Sequence, residues 1–142
     1  MMIKPAMKPV LIDSCIIIDL IADKSDWYDW SLAQLVSLHE AGPLAINQII
    51  FAEISSGYDT PAAFRRAIEA FELMQLSLPW EAAFLAGAAY RTYRQRGGNR
   101  RSPLPDFYIG AHAATSELRL LTRDAARYET YFPTIQLITP GS

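Results

Sequence analysis

Short apolar segments alternate with helical segments along the whole chain, and this alternation constrains the fold more than any other feature. The run Val10-Leu11-Ile12 is continuously apolar, as is typical of a strand buried on both faces. We predict strands over 10–12, 44–46, 75–78, 118–122 and 135–138, and helices over 31–41, 49–56, 61–74, from 80 onward, 106–116 and 124–131. The pattern predicts a three-layer α/β/α sandwich with a central, mostly parallel sheet.

Length and composition are consistent with one such domain over residues 1–142. A chain of 142 residues should bury about 70% of its unfolded surface, so it needs no disulfide or structural metal. No repeat or linker divides it. The net charge of −2 argues against a broad basic surface for nucleic acid, but it allows a bound cation or one short basic strip.

The residues that bind zinc or form disulfides are scarce. Cys15 is the single cysteine, which excludes a disulfide scaffold and a Cys-rich zinc site. His39 and His112 are the two histidines of the sequence, and this small number argues against a His-based zinc site. No signal peptide is visible before Asp13, and no apolar run is long enough to span a membrane. These features predict a soluble, cytoplasmic protein.

Two predicted strands end in an acid with a hydroxyl residue close by. VLIDS at 10–14 contains Asp13 and Ser14, and LLTRD at 120–124 contains Thr122 and Asp124. The carboxyl ends of parallel strands meet at one sheet edge, where open α/β sheets bind ligands. The alternative is that each acid simply caps the helix that follows it.

Two further acids lie in predicted helices. Glu53, in NQIIFAEISSG, has mostly apolar neighbours at helical spacing, so it either serves a function or belongs to an exposed stripe with Gln48 and Ser56. Asp106 follows two prolines and opens a helix, where ordinary capping would also favour an acid.

If the four carboxylates converge, they need a cation. Like charges a few ångströms apart repel, and some would remain protonated without a positive ion. Oxygen ligands suit Mg²⁺ or Mn²⁺. Such an ion next to an activated water indicates hydrolysis, and two ions roughly 4 Å apart would suit phosphodiester cleavage.

Four motifs resemble the PIN domain, and within it the VapC-like toxins of toxin–antitoxin pairs. They are VLIDSCIIIDL at 10–20, INQIIFAEI at 46–54, LPDFYIGAHA at 104–113 and LLTRDAARYETYFP at 120–133. The resemblance implies a parallel α/β/α sandwich and a Mg²⁺- or Mn²⁺-dependent ribonuclease. It also implies an RNA substrate, a small antitoxin partner and a homodimer.

Site residues are carried over from these motifs. The resemblance makes Asp13 and Asp106 the direct metal ligands, with Glu53 and Asp124 completing the pocket through water or a second ion. Ser14 and Thr122 take positions where the family often has a hydroxyl that orients an acid. Cys15 is a small departure from the family pattern, and we assign it to packing.

A basic strip precedes the third motif. It contains five arginines, for which we predict contacts with the RNA backbone: Arg91, Arg94, Arg96, Arg100 and Arg101. Gly97-Gly98 would let this loop move, and Pro103 leads into Asp106. The alternative is a solvated helix end, because C-terminal arginines favour the helix dipole.

Other polar and aromatic residues are assigned to structure. We expect His112 to be structural, and Trp80 and Phe84 to lie in the core. An acidic–aromatic segment is expected to be mainly a solvated face, with a protein-binding groove as the alternative; it contains Asp19, Asp23, Asp26, Trp27, Tyr28, Asp29 and Trp30.

The antitoxin that the resemblance implies could act on the carboxylate pocket directly. An arginine of the antitoxin could enter the pocket and compete with Mg²⁺.

Three other functions compete with the ribonuclease interpretation. Haloacid-dehalogenase-like enzymes need an Asp two residues after the first, where this chain has Cys15. Response-regulator receivers need a late lysine, and no lysine follows Lys24. A non-catalytic PIN-fold module that binds RNA or protein remains the alternative, and only the intact acid set argues against it.

Overall fold

Five short strands form one parallel sheet in the computed structural model, which describes residues 7–22 and 25–141. The strand order is β3-β2-β1-β4-β5, so the first strand of the chain lies at the centre. The elements are β1 Val10–Ile12, α1 Ser14–Ala22, α2 Tyr28–Ala41, β2 Leu44–Ile46, α3 Gln48–Ser55, α4 Pro61–Ile68, a 3₁₀ turn Glu69–Phe71, β3 Leu73–Gln75, α5 Trp80–Gln95, α6 Pro105–Ser116, β4 Leu120–Leu121, α7 Ala126–Tyr131 and β5 Leu137–Ile138.

Helices cover both faces of the central strands, which confirms the predicted α/β/α sandwich. Every residue of β1, β2 and β4 is buried. All four strand pairs are parallel, with Leu11 aligned between Ala45 of β2 and Leu120 of β4. Strands buried on both faces need no polar alternation, which explains their continuous apolar sequences. All five carboxyl ends therefore face the same edge of the sheet.

The boundary predicted between the helix over 61–74 and the strand over 75–78 is wrong. Helix α4 ends at Ile68, and β3 occupies Leu73–Gln75. Glu72 has a left-handed φ of 50° and ends the 3₁₀ turn. Pairing with β2 then sets the strand, because Leu73 aligns with Leu44 and Gln75 with Ile46. Tertiary pairing therefore overrides the local alternation that suggested a later strand.

Helix α1, Ser14–Ala22, was not predicted from the sequence. The boundaries of several other elements differ from the predicted ones by a few residues. Helix α2 begins at Tyr28 rather than at residue 31. Strands β4 and β5 have two residues each, shorter than the predicted 118–122 and 135–138, and α7 begins at Ala126 rather than at residue 124.

The prediction that Trp80 and Phe84 lie in the core is wrong. Their side chains are 89% and 80% exposed. Helix α5 instead buries Ala82, Ala86 and Ala89, which are spaced to share one helix face. Small side chains let α5 approach its neighbour α6 closely, and Trp80 and Phe84 point away from this contact toward solvent.

No helix in the described part of the chain is long and apolar enough to cross a membrane. The segment before residue 7, on which the signal-peptide prediction depends, and Asp23 of the acidic–aromatic segment lie outside the described residues.

Candidate functional site

Asp13 lies at the carboxyl end of the central strand and is held by three donors. Its side chain is only 5% exposed. Its carboxylate accepts hydrogen bonds from the Ser14 amide at 2.8 Å, from Thr122 Oγ1 at 2.8 Å and from Tyr128 Oη at 2.9 Å. Burial raises the pKa of Asp13 although all three hydrogen bonds favour its ionised form, and the charge of Asp124 raises it further.

Thr122 links two of the predicted acids. It is fully buried, and its hydroxyl donates to Asp13 while accepting a 3.1 Å hydrogen bond from the Asp124 amide. Asp124 itself is exposed, at the rim of the site. Ser14 contacts two acids: its Oγ is 3.5 Å from Asp13 Oδ1, and its hydrogen bonding favours ionised Glu53. Both hydroxyls are therefore placed as the supporting role requires.

Glu53 carries the least satisfied polar atom of the site. It is half-buried on α3, and its Oε1 is buried without a hydrogen-bond partner in the described residues. Burial is the main cause of its raised pKa, and the charges of Asp13 and Asp106 add to it. The alternative of an exposed stripe fails for Glu53, because only Gln48 and Ser56 of the three stripe residues are exposed.

The start of α3, and with it Glu53, is fixed from the opposite helix. Asn47 caps α3 by accepting a 3.0 Å hydrogen bond from the Ile50 amide. His112 of α6 is buried, and its Nδ1 lies 3.0 Å from Asn47 Nδ2. Burial lowers the pKa of His112, so the ring is neutral near pH 7. The structural assignment of His112 is confirmed.

Asp106 lies in the first turn of α6 and completes the acid cluster. Burial is the largest cause of its raised pKa; the charges of Asp13 and Asp124 raise it too, while Arg127 lowers it. Asp13 thus interacts electrostatically with all three other acids. The structure brings together the four carboxylates that the sequence indicated.

The donor set suits a hard divalent cation. In the described ranges no group of three or more Asp, Glu, His or Cys side chains could hold a metal ion as it stands. Mg²⁺, however, commonly uses one or two carboxylates and retains several waters. The buried Glu53 Oε1, which has no hydrogen-bond partner among the described residues, and the raised pKa values of Asp13, Glu53 and Asp106 show that the charge of the cluster is poorly compensated, although Arg127 lowers the pKa of Asp106. Asp13 and Asp106 therefore fit such an ion.

Tyr128 is a site residue that the sequence analysis missed. Its hydroxyl donates to Asp13 and is 3.5 Å from Asp106 Oδ1, so it connects the two predicted metal ligands. Burial raises its pKa well above the usual range, and the two carboxylates raise it further. The available signal was its spacing, four residues after Asp124 at the start of a predicted helix.

The five arginines of the basic strip are exposed, and their loop is tied down rather than loose. The Arg100 carbonyl accepts hydrogen bonds from Tyr90 Oη at 2.8 Å and from Arg94 Nη1 at 3.0 Å. Gly98 is needed because a Cβ there would collide with the Tyr93 ring. Gly98 therefore has a role in close packing, whereas Gly97 has open space around it and a left-handed φ of 92° that favours glycine. Movement of the loop stays a prediction.

Asp19 departs from the expected solvated acidic face. It is 2% exposed and forms an ion pair with Arg123, and it accepts hydrogen bonds from Ser25 and Ser31. Burial opposes its ionisation, but these donors outweigh burial and lower its pKa. Asp26 and Asp29 are exposed, as expected.

Cys15 fits the packing assignment. Its Sγ lies 3.7 Å from Thr122 Oγ1. Burial and the charge of Asp13 raise its pKa to about 11, so it is a neutral thiol rather than a nucleophile near pH 7.

Comparison with known proteins adds independent information. A model of the PIN domain family matches residues 10–133. The chain matches none of the curated protein sequences with which it was compared.

Three solved structures contain chains of similar fold. VapBC2 from Rickettsia felis, bound to a DNA fragment from its promoter, contains a chain that is 18% identical, with a TM-score of 0.71 over 93% of this chain and 98% of that one. DNA-bound VapBC from Salmonella typhimurium gives 21% identity and a TM-score of 0.67, over 94% and 98% of the two chains. A toxin–antitoxin complex from Klebsiella pneumoniae contains a chain that is 24% identical, with a TM-score of 0.63 over 92% of this chain and 97% of that one.

Proposed function

Because the chain belongs to the PIN-domain family, we propose that it is a Mg²⁺- or Mn²⁺-dependent endoribonuclease that hydrolyses RNA phosphodiester bonds. The observation that carries this proposal is the buried Oε1 of Glu53, which has no hydrogen-bond partner in the described part of the chain and lies beside Asp13 and Asp106. A folded protein tolerates such an oxygen poorly unless the working state supplies a partner. A cation or the water it orders would be that partner.

Asp13 and Asp106 would hold the ion, and the chain's own hydrogen bonds prepare them for it. When bound, the ion supplies Lewis-acid activation of water and neutralises charge on the phosphodiester. Thr122 and Tyr128 hold Asp13 Oδ2, and the Ser14 amide holds Oδ1, so this carboxylate is oriented before any ligand arrives. Glu53 and Asp124 would orient the attacking water or hold a second ion.

RNA would reach this site along the basic strip. The strip lies on the last turns of α5 and on the loop that leads into α6, which begins next to Asp106. Its arginines are exposed, and the hydrogen bonds to the Arg100 carbonyl keep part of the loop in one conformation. Phosphate contacts from such a strip would position the strand without reading its sequence.

We propose that a small antitoxin controls this activity. The Klebsiella pneumoniae neighbour is a toxin–antitoxin complex. Next to Glu53, a groove of about 420 Å³ is lined mainly by apolar side chains that include Ile18, Ile21 and Tyr58. An apolar tail segment fits this groove, and an arginine on it could pair with the site carboxylates in place of Mg²⁺.

A homodimer is the remaining part of the proposal. Trp80 and Phe84 form an exposed apolar surface at the start of α5. Large aromatic side chains are enriched in the buried centres of protein interfaces. Size-exclusion chromatography with light scattering, applied to the wild type and to Trp80→Ser/Phe84→Ser, tests this part: a dimer that the double variant dissolves is expected, and a monomeric wild type would contradict it.

The enzyme assignment is tested by RNA cleavage with Mg²⁺ or Mn²⁺ in Glu53→Gln and Asp106→Asn. Both substitutions keep the side-chain size and remove one charge, so thermal melting should show folded proteins. We expect each to lose at least about 100-fold in cleavage rate. Asp59→Asn, at an exposed position outside the cluster, is the matched control. Wild-type activity in both site variants would contradict the assignment, and a wild type that binds RNA but never cleaves it would favour a non-catalytic module.

A further inference from the structure

Arg127 lies beside the acid cluster on α7, and aromatic rings hold it in place. Its guanidinium carbon is 5.8 Å from the centre of the Tyr93 ring and 5.7 Å from the centre of the Phe107 ring. Phe107 directly follows Asp106 in the chain. The two rings therefore place the cation next to one predicted metal ligand.

The rings that hold Arg127 are themselves fixed. Phe107 is fully buried, and its ring packs edge-on against Tyr93 at 5.6 Å between centroids. Tyr93 also stacks on Tyr90 at 6.2 Å, and Gly98 lies directly against its ring. The guanidinium therefore has a preorganised position.

No acceptor in residues 7–22 and 25–141 uses the hydrogen-bond donors of Arg127. Within the described residues it makes no hydrogen bond and has no carboxylate oxygen within 4.0 Å, whereas its neighbour Arg123 forms a two-pronged ion pair with Asp19. Arg127 acts on Asp106 at longer range only, by lowering its pKa. Five oriented N–H groups without a partner are available for a ligand.

These donors line a pocket that also contains site acids. The pocket has a volume of about 340 Å³, and its walls include Asp106, Asp124, Arg127 and Tyr131. A ligand there would meet a guanidinium on one side and the proposed cation site on the other. Such a position suits an oxyanion that bridges two positive charges. The planar guanidinium of arginine can also bind a phosphate in a bidentate manner, through two parallel hydrogen bonds.

We propose that Arg127 binds the non-bridging oxygens of the phosphodiester that the enzyme cleaves. The inference rests on the proposed ribonuclease function and adds a residue to it. Arg127 differs from the basic strip, whose exposed side chains would hold flanking phosphates. In the transition state, where charge on the phosphoryl oxygens grows, the fixed guanidinium would bind more tightly than in the ground state.

The test compares Arg127→Ala and Arg127→Lys with Arg65→Ala, a control at an exposed arginine on α4. We expect Arg127→Ala to lower kcat about 100-fold, with Arg127→Lys intermediate because it keeps the charge and loses the fork. Guanidinium ion added at millimolar concentration should restore part of the activity of Arg127→Ala. Titration calorimetry with Mn²⁺ on the RNA-free proteins should show that both variants still bind the metal, and that Arg127→Ala binds it at least as tightly as the wild type because a nearby positive charge is removed.

Full activity in Arg127→Ala or in Arg127→Lys would overturn the proposal. Loss of Mn²⁺ binding in either variant would also overturn it, because it would show that Arg127 only shapes the acid cluster. Should Arg127→Ala fail to fold, the Arg127→Lys result decides, since the aliphatic part of the lysine side chain can still pack on the rings.

A separate measurement of RNA binding distinguishes this proposal from the ribonuclease assignment. In Ca²⁺, the affinity for a short fluorescent single-stranded RNA should fall in Arg127→Ala, with a salt slope lower by roughly one. An unchanged slope overturns the role of Arg127 even if wild-type cleavage is established.

Discussion

Arg123 and Asp19 form a bidentate ion pair, in which Arg123 Nε donates to Asp19 Oδ2 at 2.9 Å and Arg123 Nη2 donates to Asp19 Oδ1 at 3.0 Å. Arg123 stands between Thr122 and Asp124, so the pair anchors the loop that carries two site residues to helix α1. Ser25 and Ser31 donate to the same carboxylate at 2.7 and 2.8 Å. Charged and hydroxyl donors within the protein therefore satisfy both oxygens of the Asp19 carboxylate.

Asp19→Ala should destabilise the protein by about 3 kcal/mol, because removing one partner leaves the other charge poorly compensated. Urea unfolding measures this, with exposed Asp26→Ala as the control. The pKa of Asp19 is lowered in the folded protein, so its ion pair stabilises the fold fully above the pKa of Asp19 in the unfolded chain. This stabilisation is lost as the pH falls through the pKa of Asp19 in the folded protein. The difference between Asp19→Ala and wild type should therefore shrink on acidification; a constant difference would contradict the ion-pair account.

Tyr128→Phe should loosen Asp13. The substitution removes one charge-assisted hydrogen bond, at 2.9 Å, and we expect a loss of about 1.5–3 kcal/mol in unfolding free energy. Cleavage should also slow, because Asp13 loses a donor that fixes its orientation. Tyr58→Phe is the control, since Tyr58 packs against Phe64 and its ring would be kept. Equal behaviour of the two variants would show that the Tyr128 hydroxyl does not matter.

The stability of the metal-free protein should fall as the pH rises. The pKa values of Asp13, Glu53 and Asp106 are raised in the folded state, so folding binds protons at these groups. Proton binding at these groups stabilises the fold fully below their pKa values in the unfolded chain, which are about 4. This stabilisation is lost as the pH rises through their pKa values in the folded protein. In EDTA, Asp13→Asn should therefore gain stability over wild type at pH 7 and lose that gain near pH 4. A gain that did not change with pH would contradict the raised pKa of Asp13, which burial causes in the first place and the charge of Asp124 increases.

Binding of RNA by the basic strip should appear as salt dependence. Arg100→Ala/Arg101→Ala should weaken RNA binding and lower the slope of log affinity against log salt by roughly one for each arginine that binds a phosphate in the wild type. Arg65→Ala/Arg66→Ala removes the same charge from α4 and should leave the slope close to wild type. If the strip variant binds RNA with an unchanged slope, these arginines are a solvated helix end.

The sheet and the acid cluster could be predicted from sequence because each leaves a local signal. Continuous apolar runs mark strands buried on both faces, and Asp13 and Asp124 closely follow such runs. Glu53 was noticeable because a carboxylate among apolar helix positions is costly to bury. Its partner-free oxygen depends on the surrounding chain and could be found only in the structure.

Features that depend on distant parts of the chain escaped prediction. The face of α5 was reversed because Trp80 and Phe84 are apolar, while the alanines that allow close packing on α6 carry little hydrophobic signal. Asp19 looked like one acid of a solvated segment because its partner Arg123 is 104 residues away. Tyr128 likewise reaches Asp13 over 115 residues of sequence.

We propose that a divalent cation held by Asp13 and Asp106 makes this chain a ribonuclease. The most direct measurement is cleavage of RNA by the wild type before chelation, in EDTA, and after Mg²⁺ or Mn²⁺ is added in excess over the chelator, in parallel with Asp13→Asn. We expect RNA cleavage by the wild type to stop in EDTA and to return with the metal. Asp13→Asn should be folded and should cleave RNA under none of these conditions. Cleavage that persists in EDTA, or that survives Asp13→Asn, would contradict the proposal.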